Sequence, residues 1–106
     1  MKLIPIEHEG KVARYLFWCP GCKQMHPYSV ADAPPYQNWT FNGDLDKPTF
    51  TPSLLCNGHD AALRCHLFVT SGKIAYCGDC FHELKGQTVD MVEVDPETWE
   101  PMKGAQ

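Results

Sequence analysis

Two Cys-x-x-Cys pairs, Cys19-Pro20-Gly21-Cys22 and Cys77-Gly78-Asp79-Cys80, are the first elements of the chain with the means to do chemistry. Two thiolates at this spacing converge on one metal ion, and a glycine between them permits the tight turn. Six cysteines and five histidines in 106 residues make metal binding the leading expectation. Zinc is the expected ion, with the first pair as a knuckle; Cys65-His66 and His82 lie near the second pair. The competing reading makes some of these thiols small buried hydrophobes, and Cys56 is expected to be a core or loop thiol. His26, four residues past Cys22, is either a further ligand or a surface histidine. The N-terminal residues lack the apolar core of a signal peptide, so a reducing, cytoplasmic compartment is expected and a disulfide framework is not.

A second chemistry follows from strand register. Residues 63–70 alternate, with Leu63, Cys65, Leu67 and Val69 on one face and Arg64, His66, Phe68 and Thr70 on the other. Ser71-Gly72 reads as a two-residue hairpin turn, which sets His66 opposite Cys77 and Arg64 opposite Asp79. Symmetric closure of the loop at residues 57–62 sets Ser53 directly opposite His66. Ser53, His66, Cys77 and Asp79 then share one face, and Cys65 and Cys80 share the other. A hydroxyl beside an imidazole, itself beside a carboxylate, is the arrangement of an activated nucleophile. The simpler alternative makes Ser53 a solvent hydroxyl, His66 a zinc ligand and Asp79 the acceptor that orients it. Pro52 is the weak point, because a slip of one residue moves every side chain to the opposite face.

The elements that must carry these residues are short strands. Residues 12–18 are rich in β-formers and run into the first knuckle. Trp39-Thr40-Phe41 before Asn42-Gly43, the Pro52-interrupted run at 49–55, residues 73–77 and residues 88–94 read as further strands. The acidic run at 41–46 reads as a turn, since it lacks the alternating ligands of a calcium loop. Asp95 followed by Pro96 predicts the N-cap of a short helix. Trp18, Trp39, Phe41, Phe50 and Phe68 are expected in the core. The expected fold is mainly β: a small single-domain antiparallel sheet over residues 1–106 with a CxxC zinc knuckle and little helix. The tail after about residue 95 is expected to be loose. No apolar run approaches the ~20 residues of a membrane span. A net charge of −4 argues against a nucleic-acid partner and for a protein or peptide.

The ordered motifs also carry a resemblance. Cys19-Pro20-Gly21-Cys22-x-x-x-His26, Trp39-x-Phe41-Asn42-Gly43-Asp44 and Lys47-Pro48-Thr49-Phe50-Thr51-Pro52-Ser53-Leu54 form its first half. Cys65-His66-x-Phe68-Val69-x-x-Gly72-x-Ile74 and Asp79-Cys80-x-His82-x-Leu84-x-Gly86-Gln87-Thr88-Val89 complete it. Over roughly residues 12–94 the set resembles a family of small phage and prophage proteins related to the peptidase component of bacterial ubiquitin-like (Bub) operons. The resemblance implies a zinc-containing serine hydrolase acting on a protein C-terminal tail, such as that of a ubiquitin-like protein. It implies Ser53 as nucleophile and His66 as general base, with Asp79 matching the phage-type pattern as third member. Cys77 departs from that pattern, which leaves Cys19, Cys22, Cys65 and Cys80 as the expected zinc ligands. Two other classes remain in view: a non-catalytic zinc-binding interaction module, and a zinc-centred hydrolase using His66, His82 and Asp79.

Overall fold

The structure is a computed structural model that describes residues 1–30 and 38–102. The described residues form strands, turns and loops with no helix, and the chain divides into two compact units. One unit comprises Met1–Thr40 and Met91–Gln106; the other is the intervening Phe41–Asp90.

The first unit is built on an antiparallel meander: β1 (Ile4–His8), β2 (Lys11–Cys19) and β3 (Gln24–Ser29). Glu9 and Gly10, with φ of 53° and 80°, close the first hairpin in the left-handed conformation that matches strand twist. Alternation along β2 and β3 sends Phe17, Cys19, His26 and Tyr28 inward, where they are buried. Phe17 stacks on Tyr28 at 5.4 Å between ring centres, and Trp39 meets Tyr28 edge-on at 5.5 Å. The far segment returns to this unit: the Val94 N–H donates to the Met1 carbonyl at 2.8 Å, and Val94 bridges Pro101.

From Phe41 on, the second unit carries a five-stranded sheet in the order β4 (Thr40–Phe41), β5 (Phe50–Cys56), β6 (Cys65–Thr70), β7 (Lys73–Tyr76) and β8 (Thr88–Asp90). The alternation expected for residues 63–70 holds along β6, where Cys65, Leu67 and Val69 are buried and Phe68 and Thr70 exposed. Ser71-Gly72 is the expected turn, with φ of 49° and 78°, and pairs Thr70 with Lys73 and Leu67 with Tyr76. Phe41 stacks on Phe50 at 4.7 Å. Residues 42–47 are the expected turn, with Asn42 and Asp44 side chains accepting backbone N–H bonds.

Several expectations are corrected. No helix follows Asp95: its carboxylate caps the Glu97 N–H at 2.8 Å, one turn forms, and Trp99 ends it with a left-handed φ of 62°. That segment is tied back by Asp95 to Glu100 and by Met102 to Glu93 backbone bonds, while residues 103–106 lie outside the described ones. The last strand is confined to Thr88–Asp90. Phe68, expected in the core, is 45% exposed. No helix among the described residues is long and apolar enough to cross a membrane.

Candidate functional site

β5 departs from regular pairing where it carries Ser53. Phe50 pairs with Val69, but the next pair is Leu54 with Leu67, so three residues of β5 face Phe68 alone. Pro52, which has no N–H to give a ladder, sits inside this bulge. The register beyond it sets Leu55, not Ser53, opposite His66. Direct opposition of Ser53 and His66 is therefore corrected by two residues. An even slip keeps side chains on their original face, so Ser53 still meets His66, along the diagonal. Ser53 Oγ lies 3.1 Å from His66 Nε2.

On the other side of the imidazole, Nδ1 lies 3.4 Å from Asp79 Oδ2. The predicted opposition of His66 and Cys77 holds, since the Cys77 N–H donates to the His66 carbonyl at 2.9 Å. One step on, the ladder breaks: the Phe81 N–H, and not Asp79, reaches the Arg64 carbonyl at 2.9 Å. Residues 77–80 bow out as a turn, which frees the Asp79 carboxylate to face the ring edge. Asp79 thus reaches His66 from a turn instead of a strand. In the tautomer whose Nδ1–H is directed to the carboxylate, the Nε2 lone pair faces the Ser53 hydroxyl. His66 is 28% exposed and Asp79 42%, so the trio opens to solvent. Phe68 lies against the His66 ring at 6.3 Å between centres. Leu55, the cross-strand neighbour of His66, is 52% exposed. Burial, then the negative charge of Asp79, then Cys80, push the half-buried Cys77 thiol above the ordinary cysteine range.

The soft donors fall into two halves, one per unit. In the first unit, β2 ends on Cys19 and the turn to β3 returns Cys22 within 4.8 Å of it, sulfur to sulfur. The Cys22 N–H points at Cys19 Sγ at 3.4 Å and the Lys23 N–H closes on the Cys19 carbonyl at 2.7 Å. Backbone N–H groups aimed at sulfur favour the thiolate that zinc requires. In the second unit, buried Cys65 meets buried His82, with Sγ 3.3 Å from Nε2. A tetrahedral zinc with Zn–S near 2.3 Å and Zn–N near 2.0 Å holds such a pair about 3.5 Å apart. Tyr76 and Phe81 set the His82 ring edge-on at 4.6 and 5.2 Å.

Cys80, the expected fourth ligand, is not among the grouped donors. Its thiol accepts the His66 N–H at 3.3 Å and donates to the His66 carbonyl at 3.2 Å. The bowed turn that brings Asp79 forward also turns Cys80 to the backbone of β6 and advances His82 to Cys65. The Arg64–Phe81 bond marks the extra residues, and the Cys77-x-x-Cys80 spacing alone could not show them. His26 lies buried in the first unit with its ring 5.8 Å from Phe17. None of the six cysteines forms a disulfide.

No curated protein and no solved structure matches the chain. The family model of bacterial ubiquitination-like system serine proteases (BubE) matches residues 2–77, a span that takes in Cys19, Cys22, Ser53, Cys65 and His66 and stops short of Asp79. The chain belongs to the BubE family of bacterial ubiquitination-like system serine proteases.

Proposed function

We propose that this chain is a serine peptidase that cleaves the flexible C-terminal tail of a protein, with Ser53 as nucleophile, His66 as general base and acid, and Asp79 as the group that orients His66. The observation that carries the reading is the 3.1 Å approach of Ser53 Oγ to His66 Nε2, with Asp79 on the opposite nitrogen. As Oγ attacks the scissile carbonyl, its proton passes to Nε2, and the imidazolium formed lies beside the Asp79 carboxylate. That proton then goes to the leaving amine. Water attacks the acyl-serine ester as its proton passes to His66; the Ser53–acyl bond then breaks, His66 returns the proton to Ser53 Oγ, and the new carboxylic acid leaves and ionises. The family description supports a ubiquitin-like protein as the owner of the tail. Exposed Leu55 and Phe68 beside the trio suit an extended apolar segment, and a net charge of −4 suits a protein partner over nucleic acid. The bacterial cytoplasm, which keeps six thiols reduced, is the compartment that suits this chemistry.

Zinc is the ion we assign to the soft donors of each unit, Cys19 and Cys22 in the first and Cys65 and His82 in the second. His82 is taken in place of the expected Cys80 because His82 Nε2 lies 3.3 Å from Cys65 Sγ.

A fluorophosphonate probe tests the nucleophile. Labelling should map to Ser53, and Ser53→Ala should abolish both labelling and tail cleavage while zinc content and melting temperature stay unchanged. Retention of cleavage by Ser53→Ala refutes the assignment. An unlabelled wild-type protein that still binds a ubiquitin-like partner would support the interaction-module reading instead.

A further inference from the structure

We infer a second metal site at the catalytic base: His66, Cys77 and Asp79 form a three-donor cradle for zinc or a similar borderline cation, and its occupation switches the nucleophile off. The inhibitory half of this inference rests on the proposed roles of Ser53 and His66; the binding half does not. One nitrogen, one sulfur and one carboxylate oxygen from these residues all lie within 4.8 Å of one another. All three belong to the second unit, and none serves the proposed structural site. The backbone fixes the arrangement, because the Cys77 N–H donates to the His66 carbonyl at 2.9 Å. Asp79 faces Nδ1 at 3.4 Å, so the nitrogen offered to the metal is the one remote from Ser53.

Nitrogen, thiolate and carboxylate together suit zinc, and three protein donors with a fourth position left to water is an open coordination pattern. Solvent reaches the cradle, since Asp79 is 42% exposed and Cys77 half-buried. Binding releases the Cys77 proton to solvent and forms bonds to Sγ, Nδ1 and a carboxylate oxygen.

The effect on the nucleophile follows from the two nitrogens of one ring. A neutral imidazole coordinated through Nδ1 must carry its proton on Nε2. Nε2 then donates to Ser53 Oγ and has no lone pair to receive the serine proton. The metal thus reverses the direction of the 3.1 Å hydrogen bond without moving the heavy atoms. The Asp79 carboxylate is diverted to the cation at the same time.

Equilibrium dialysis against zinc alone, on the full chain, tests the binding half. Cys77→Ser should bind one equivalent fewer than wild type, Asp79→Asn should bind that equivalent more weakly, and Ser53→Ala and Cys56→Ser should match wild type. Equal stoichiometry in wild type and Cys77→Ser overturns the site. Fluorophosphonate labelling of Ser53 tests the inhibitory half. Filling the extra equivalent should slow labelling of wild type at least about tenfold, as expected when the general base is lost, and a chelator should reverse it. Labelling in Cys77→Ser should be insensitive to the same zinc. An extra equivalent that binds through Cys77 and leaves labelling unchanged overturns the tautomer block. An unlabelled wild type that still loses one equivalent on Cys77→Ser refutes the serine nucleophile and leaves the metal site standing.

Discussion

Replacing Asp79 by asparagine preserves the side-chain shape and removes the charge that faces the His66 ring, so its cost measures how much of the trio's work is electrostatic. The imidazolium formed as Ser53 attacks would lie 3.4 Å from the carboxylate. Asp79 is 42% exposed, which calls for a dielectric near that of water. With an effective value of ~40–80, Coulomb's law at this separation gives about 1–2.5 kcal/mol. That corresponds to a loss of roughly five- to seventy-fold in rate. A fully buried carboxylate in the same role is worth about 10⁴-fold, because the wrong tautomer then dominates. Here water can solvate either tautomer, and the smaller figure is expected. The second-order rate of fluorophosphonate labelling at Ser53 reads this without any natural substrate. Raising salt toward ~1 M, where screening acts over ~3 Å, should narrow the gap between wild type and variant. A loss below about twofold would show that Asp79 does not assist His66, and a salt-independent loss near 10⁴ would show that solvent does not screen the pair.

Two further outcomes concern the scaffold. Stripping zinc with a chelator, or Cys19→Ser, should unfold or aggregate the protein, since thiolate-bound zinc supplies an apparent ~10–16 kcal/mol in small domains; Cys56→Ser should be mild, and a metal-free chain that unfolds cooperatively refutes the zinc assignment. Leu67→Ala removes a fully buried side chain flanked by Leu54 and Tyr76, and should cost about 2–5 kcal/mol in a denaturant titration, with a loss under about 1 kcal/mol contradicting a packed core there.

Much of the second unit was legible because parity is robust. Alternation in residues 63–70 and the Ser71-Gly72 turn set the β6–β7 register, and with it the nearness of Cys77 to His66. Ser53 was assigned to the correct face with the wrong partner, since the bulge at Pro52 adds two residues and an even insertion leaves facing unchanged. The family resemblance implied the same serine and histidine, and the BubE match over residues 2–77 bears out the family. Cys80 and His82 were exchanged for a reason of the same kind. Pairing beyond Tyr76 is broken by a turn whose backbone bonds leave no mark in residue type. The missing helix at Asp95 shows that a good N-cap cannot sustain a helix when the chain turns left-handed at Trp99 four residues later.

The division of the chain into an interrupted unit and an uninterrupted one bears on the order in which a ribosome releases them. Strands β4 to β8 lie within one stretch, residues 40–90, and can pair as soon as Asp90 has emerged. The other unit is interrupted, because the carbonyl of Met1 finds its partner at Val94. Domains usually close in the order they are made, N-terminal first. The sheet that carries Ser53 and His66 is thus contiguous in sequence, whereas the other unit is closed by a bond between residues 93 positions apart.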